Sequence, residues 1–439
     1  MLKRTYRFVI DRHDKPYQKL KYCTRVCKDI YNQSLFILRR ELEENNNLIS
    51  KFDLPKVIRE IKNLEGELNY RKIPAKSSEK VVQLASETVK SYFKALKDWK
   101  KNPSKYRGKP KFPNFLPKNG YQVMSLYGSS LSIKGNVIQF GKKTFGQPVQ
   151  ISIPEKEYLK YRHLWYKDIQ RSITNRSDLS NRLIKMVRII PTSSADYFSV
   201  EIVYDKAQLL APVDQEKAVG IDLGIDNLIT MVPNFKQEIL IVNGRPLKAI
   251  NQWFNKKNAE VSSRINKAGH RNTREKRDLY TKRRHKVYDY MHKGSRVVID
   301  WCVKHKVSKI VIGVNKGWKQ NVNIGKVNNQ KFVSIPFRTL ISNLEYKAEE
   351  YGIEVVTVTE SYTSKCSALD LEPIQKHETY LGRRVHRGLF RTAEGVELNA
   401  DVNGALNILR KEIGDQFIVD AKGSGSNYLI DNPIRINLN

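Results

Sequence analysis

The sequence predicts an α/β domain in its C-terminal half, preceded by a small antiparallel β-barrel that carries inserted helices. Three observations predict it. Beyond residue 211 the apolar periodicity reads β-β-β-α-β-α-β-α. Between Tyr121 and Tyr204 short alternating segments recur, as in a small barrel. Between residues 14 and 104 apolar side chains return every three or four positions, as in helices.

Residues 2–11 alternate as a strand that joins the barrel, which makes residues 14–104 an insertion. Within it, Leu20, Cys23, Cys27, Ile30, Leu35 and Leu38 line one face of a helix over 17–46. A second helix is expected over Pro55–Leu68. A third runs from Ser77 to Trp99, with Ser77 and Ser78 as caps and Ala85, Val89, Tyr92, Leu96 and Trp99 as a core stripe. From Lys100 to Phe115 basic and aromatic residues interleave with prolines that forbid a helix. Lys105, Tyr106, Arg107 and Lys111 in this stretch suit a phosphate backbone with bases stacking nearby. The alternating segments Leu131–Ile133, Val137–Phe140, Val149–Ile153, Met186–Ile190 and Tyr197–Val203 supply the barrel, so that it occupies 1–13 and 105–210.

In the second half, Val219, Ile221 and Leu223 alternate along a strand that Gly224 breaks, and Leu228–Met231 returns as a hairpin. Glu238–Val242 is a third strand. Residues 255–296 read as a long helix or helical hairpin with fourteen Lys/Arg against four acids. Such one-sided charge repels itself and calls for a polyanion, with Arg264, Arg283 and Arg284 as contacts. Lys309–Val314, the helix from Pro336 to Tyr351 and Glu354–Glu360 form a β–α–β unit, with Gly352 as helix C-cap. Asn399–Arg410 is a helix with Asp401 in its first turn. The Gly/Ser/Asn-rich chain over 412–439 is expected to be a flexible tail.

Composition narrows the partners. With 79 Lys plus Arg against 45 Asp plus Glu the net charge is +34, so nucleic acid is the first expected partner and an anionic membrane surface the second. No apolar run approaches the roughly 18 residues of a spanning helix, and the N-terminus lacks a signal-peptide core. Four cysteines in 439 residues fit a reducing compartment, and a cytoplasmic, nucleoid-associated protein is expected.

Asp222 stands inside an apolar strand, where a lone carboxylate costs several kcal/mol unless it is paired or bound to a cation. A turn carboxylate capping local amides is the bland reading of this position. Glu360 ends a later strand and Asp401 opens the last helix. Carboxylates gathered from distant sequence onto strand ends bind Mg²⁺ through oxygen. Two such ions activate water and stabilise the leaving oxygen of a phosphodiester. With the β-β-β-α-β-α-β-α order and the basic charge, the three acids point to a nuclease of the RNase H-like, RuvC type.

Gly220-Ile-Asp-Leu-Gly-Ile225, Ile312-Gly-Val-Asn-Lys-Gly-Trp-Lys-Gln320, Glu360-Ser-Tyr-Thr-Ser-Lys-Cys366 and Asp401-Val-Asn-Gly-Ala-Leu-Asn-Ile408 resemble the RuvC segments of the TnpB family. These are transposon-encoded RNA-guided nucleases related to type V CRISPR effectors. The resemblance covers residues 211–411. It implies a RuvC-like domain over 211–360 and 400–411, a wedge barrel, and a helical recognition insertion at 14–104. It also implies an RNA-guided, Mg²⁺-dependent endonuclease with two metal ions, a transposon-derived guide RNA and a double-stranded DNA target, with no membrane partner. A monomer or a dimer on the RNA both stay open. Lys316, Trp318 and Lys319 follow the second segment and are expected to touch nucleic acid.

Two departures matter. Many members carry the second catalytic glutamate where this chain has Gly313. Neighbouring strands lie about 4.8 Å apart, so Glu360 on the adjoining strand is expected to lean over Gly313 and take its place. The second departure is in 361–399, where typical members carry a four-cysteine zinc ribbon. Only Cys366, His377 and His386 stand there, without paired spacing. No zinc is expected, and Arg383, Arg384 and Arg387 are expected to take over the ribbon's role in a degenerate insertion, with Arg384 a nucleic-acid contact. Three functions follow: an active RNA-guided nuclease, a catalytically dead RNA-guided repressor, or a transposase that cuts without RNA.

Overall fold

The computed structural model describes residues 2–155, 184–192, 194–206, 208–269, 273–315, 335–386, 388–425 and 428–438. The chain divides into two units, Met1–Ala207 and Gln208–Asn439.

The first unit opens with β1 (Leu2–Asp11), then α1 (Tyr17–Asn45), α2 (Leu54–Glu60) and α3 (Ala75–Lys101). There follow β2 (Met124–Leu126), β3 (Ser132–Lys134), β4 (Val137–Phe140), α4 (Lys142–Phe145), β5 (Val149–Ser152), β6 (Ile184–Pro191) and β7 (Tyr197–Lys206). β1 pairs antiparallel with β7 along its whole length, from Leu2 opposite Lys206 to Asp11 opposite Tyr197, so the three helices lie between paired strands. Among the described residues the strands of this unit form a four-stranded sheet, β1-β7-β6-β2, and a three-stranded one, β3-β4-β5. One apolar core unites sheets and helices, and Cys23 and Cys27 are buried in it. Two expectations change. α3 begins at Ala75, so Ser77 and Ser78 are not caps. They are buried in its first turns, where their hydroxyls donate to Ser125 O (2.8 Å) and Tyr70 O (2.7 Å). α2 ends at Glu60, because the Asn63 side chain accepts the Glu65 and Glu67 amides in a competing turn.

The second unit runs β8 (Asp214–Asp222), β9 (Asn227–Pro233), β10 (Leu240–Asn243), α5 (Arg245–Lys267), α6 (Arg274–Lys304), β11 (Val307–Gly313), α7 (Phe337–Tyr351) and β12 (Glu354–Val358). It closes with β13 (Arg383–His386), β14 (Leu389–Arg391), β15 (Glu397–Asn399), α8 (Ala400–Ile413), α9 (Gln416–Gly423) and β16 (Ile434–Ile436). The main sheet has the order β12-β11-β8-β9-β10-β16. β8, β9 and β10 are antiparallel neighbours, and β11 runs parallel to both β8 and β12. Val219, Ile221, Ile310 and Ile312 face a core shared with α6 and α7. Ala218 and Val311 face the opposite core, shared with α8 and α9. Both faces are covered, which explains the nearly unbroken apolar runs.

The basic segment is two helices whose bounds exceed 255–296. α5 starts at Arg245 with Pro246 in its first turn, and α6 runs on to Lys304. The tail is a correction. α9 buries Phe417, Ile418 and Ala421, Tyr428 and Leu429 follow them into the core, and β16 pairs parallel with β10. Gly/Ser/Asn-rich composition hid these few apolar anchors. Among the described residues no helix is long and apolar enough to cross a membrane.

Candidate active site

β8 carries Asp222 at its C-terminal end, and α8 crosses that strand at very close range. A Cβ placed on Gly220 would meet Ala405 O at 2.5 Å, so glycine is what lets the helix backbone lie on the strand. The crossing brings the first turns of α8 to Asp222. A Cβ on Gly404 would stand 3.1 Å from Asp222 Oδ2. The Asn399 side chain caps α8 by accepting the Asp401 and Val402 amides. The Asp401 carboxylate then sits where the helix dipole favours negative charge.

Glu360 arrives from the other direction. β12 pairs with β11 up to Gly313 opposite Val358, and the chain turns just beyond. A Cβ on Gly313 would meet Glu360 Cγ at 2.8 Å and Ile408 Cδ1 at 2.5 Å. The Glu360 side chain therefore occupies the volume that a side chain at 313 would need. The glutamate reaches this position from the turn beyond β12, two residues past the last pair at Val358, a difference from the expected strand end.

Asp222 feels the charge of both other acids. Burial, then the charges of Asp401 and Glu360, push the Asp222 carboxyl up to about 8, against the opposing pull of the Leu223 amide and Arg384. Burial pushes Glu360 up to about 7, with the Lys411 ammonium opposing it. Glu360 Oε2 accepts from Asn315 Nδ2 at 3.0 Å, while buried Oε1 has no hydrogen-bond partner. Asp401 Oδ2 accepts from Asn227 Nδ2 at 2.7 Å, and Arg384 approaches Oδ1 at 3.7 Å. A buried carboxylate oxygen without a donor, close enough to Asp222 to act on its charge, is the kind of oxygen that could serve a hard divalent cation. Among the described residues no three His, Cys, Asp or Glu close around a single ion.

Asp401 also lines a cleft of about 500 Å³, together with Asn227, Arg245, Lys248, Arg384 and Arg435. Lys248 is tied to Asp226 at 2.6 Å. Asn227, Asn315, Lys411, Arg245, Lys248 and Arg435 carry no motif in the sequence. Only the turn after Asp222 hinted at Asn227, five residues on.

The nucleic-acid candidates divide. Arg384 faces the acids. Arg107 and Lys111 are exposed, as is Arg284. Lys105 pairs with Asp98 at 2.8 Å and Tyr106 donates to the same carboxylate at 2.6 Å, so both have partners within the chain. Arg264 pairs with Glu275. Arg283 is half-buried, donates to Asn251 Oδ1 at 2.7 Å and lies over the Phe254 ring, so it holds the α5–α6 hairpin together. Lys316, Trp318 and Lys319 lie outside the described residues, as does Arg387.

The segment 361–399 does not fit zinc. Cys366 is buried, with its thiol directed at Pro373 O (3.4 Å) and Gln375 O (3.6 Å). His377 Nε2 lies 2.7 Å from Pro373 O, and His386 lies on β13. A carboxylate does the fastening instead. Glu372, 2% exposed, accepts the Ser367 amide at 2.6 Å and the Leu381 amide at 2.9 Å, joining two loops of the knuckle.

Comparison with known proteins agrees with the sequence motifs. Residues 198–319 match the family OrfB_IS605, described as probable transposase, and residues 337–408 match the Cas12f1-like TNB domain. The TnpB-like protein ORF457 of Acidianus two-tailed virus is 29% identical over 236 residues, 52% of this chain and 48% of that protein. The CRISPR-associated endodeoxyribonuclease Cas12f2 of a Micrarchaeota archaeon is 25% identical over 54% of this chain and 44% of its own. Cas12f1 of Sulfoacidibacillus thermotolerans, also named an endodeoxyribonuclease, is 24% identical over 53% and 54%. The chain thus spans about half the length of the curated relatives it matches. In fold it is similar to Cas12f1 in a cryo-EM structure with sgRNA and target DNA, with a TM-score of 0.53, 16% identity, and coverage of 89% of this chain and 82% of that one. The second half of the chain is thus similar in sequence to TnpB-like and Cas12f proteins, and the chain is similar in fold to Cas12f1.

Proposed function

We propose that this chain is an RNA-guided DNA endonuclease whose RuvC-like site cleaves target DNA with two magnesium ions held by Asp222, Glu360 and Asp401. The observation that carries the reading is the Glu360 side chain standing over Gly313, with one buried oxygen lacking a donor. An isolated structural acid would be expected to have its lone pairs satisfied. When bound, the ions would supply an activated water and neutralise charge developing on the phosphodiester.

The chain's own residues prepare that chemistry. Burial, reinforced by the charges of Asp401 and Glu360, holds Asp222 largely protonated at neutral pH, so cation binding releases a proton and weakens as pH falls. Asn227 and Asn315 each donate to one oxygen of an acid, leaving Glu360 Oε1 without a donor and Asp401 Oδ1 to Arg384 at 3.7 Å. Arg245, Arg384 and Arg435, on the cleft beside Asp401, are arranged to hold the phosphates of a substrate strand. The guide is proposed as RNA and the target as DNA on the strength of the net charge of +34 and the fold shared with a Cas12f1–sgRNA–target DNA complex. A short motif flanking the target would be read by protein and the remainder by base pairing.

The protein purified with its co-expressed RNA, given matching DNA and Mg²⁺, is expected to cut. EDTA and Asp222→Ala or Asp401→Ala should abolish cutting while leaving DNA binding intact. Binding without any cleavage by the parent protein would return the repressor reading. Cleavage that survives RNase treatment before assembly would return the unguided transposase.

A further inference from the structure

The chain from Thr359 to Glu372 contains no strand, so its carbonyls have no sheet to bond to. One face of α8 takes them up. Asn403 Nδ2 donates to Cys366 O (2.9 Å), and its Oδ1 accepts the Ala368 amide (2.9 Å). Asn407 Nδ2 donates to Thr363 O (2.9 Å) and Cys366 O (2.7 Å), and Arg410 Nη1 to Glu372 O (3.1 Å). At the end of this ladder, Lys411 Nζ donates to Thr359 O at 2.7 Å and Ser361 O at 2.8 Å, the carbonyls on either side of Glu360. From the Glu360 carbonyl itself, Thr363 takes two bonds, through its amide (3.1 Å) and its hydroxyl (2.8 Å).

The backbone of Glu360 is thus gripped before, at and after the residue, and the outer grip comes from the helix that carries Asp401. We propose that Lys411 is a positioning residue for Glu360: by clasping both flanking carbonyls it fixes the direction in which that side chain leaves the backbone, over Gly313 and toward Asp222. Lys411 touches neither metal nor substrate in this role. It makes the separation between Glu360 and Asp401 a property of one helix rather than of a free turn. The proposal rests on the reading of Glu360 as a metal ligand. A glutamate borrowed from a neighbouring strand needs such a clasp, because it lies beyond the last ladder pair, at Val358.

The test is a double-mutant cycle read by Mn²⁺ binding, with calorimetry on the purified ribonucleoprotein. Lys411→Met is expected to weaken Mn²⁺ binding about 10–100-fold, the scale of losses from residues that orient metal ligands. Lys411→Arg, which keeps donors for both carbonyls, should recover most of it. In a Glu360→Gln background Lys411→Met should cost nothing further. Unchanged Mn²⁺ affinity in Lys411→Met, or an equal loss with and without Glu360, overturns the proposal. A Glu360→Gln protein that binds Mn²⁺ like the parent would instead overturn the metal-ligand reading, and it is measured on its own. If Lys411→Met does not fold, Lys411→Gln takes its place in the same cycle.

Discussion

Two glutamates twelve residues apart in the second unit, Glu372 buried and Glu360 half-buried with one oxygen enclosed, are treated in opposite ways. In the knuckle, Glu372 has each carboxylate oxygen on a backbone amide, from Ser367 and Leu381. At the sheet edge, Glu360 has one oxygen on Asn315 and the other on nothing, and its charge reaches Asp222. A satisfied carboxylate fastens loops. A carboxylate left short of donors among other carboxylates destabilises the protein until a cation arrives. The contrast teaches that burial alone does not mark a site: what separates Glu360 from Glu372 is an oxygen without a donor next to another acid.

The sharpest way to break the contrast is to exchange charge for shape at each position. Glu360→Gln keeps the size and the Asn315 contact but removes the charge, and should slow Mg²⁺-dependent cleavage at least about a thousandfold in single-turnover assays, the equivalent of several kcal/mol. A parental rate would dissolve the distinction. Glu372→Ala should leave cleavage chemistry alone and instead lower stability by about 2 kcal/mol, since the buried Ser367 amide and the part-buried Leu381 amide lose their acceptor. Its denaturation midpoint reports this, and a zinc chelator should leave the parent's midpoint where it is.

Asp222 sharpens the comparison through pH. Its folded-state pKa of about 8 is raised from 3.8, so its contribution favours folding below the lower value and is lost as pH rises to the upper. Asp222→Asn does not titrate, so its melting temperature without metal should exceed the parent's by an amount that grows between pH 4 and 8, on the order of 5 °C at the top. An advantage that shrinks over that window would contradict the account. The smallest effect is expected at Asn227, whose amide orients Asp401. Asn227→Ala should raise the Mg²⁺ concentration for half-maximal cleavage about tenfold.

Much of this was legible in the residues. The alternation around Asp222, the β–α–β unit from Lys309 to Glu360 and the helix opened by Asp401 follow from periodicity, and they place all three acids at element ends. The lean of Glu360 over Gly313 needed only the spacing of neighbouring strands. What stayed hidden depends on contacts distant in sequence. Nothing local distinguishes Arg283, engaged with Asn251 and Phe254, from exposed Arg284 beside it. Lys411 reads as a basic residue in the last turn of a helix until the fold sets it against Thr359 and Ser361. The tail was misread because composition is averaged over the segment, while packing depends on single residues such as Phe417, Ile418 and Leu429.

The central claim concerns where a cation sits, and diffraction at the manganese edge from Mn²⁺-soaked crystals addresses it most directly. Anomalous density is predicted between Asp222 and Asp401 and between Asp222 and Glu360, with the free Glu360 oxygen turned to the ion. Density that leaves Glu360 bound only to Asn315, or no density beside Asp222 at all, would contradict it.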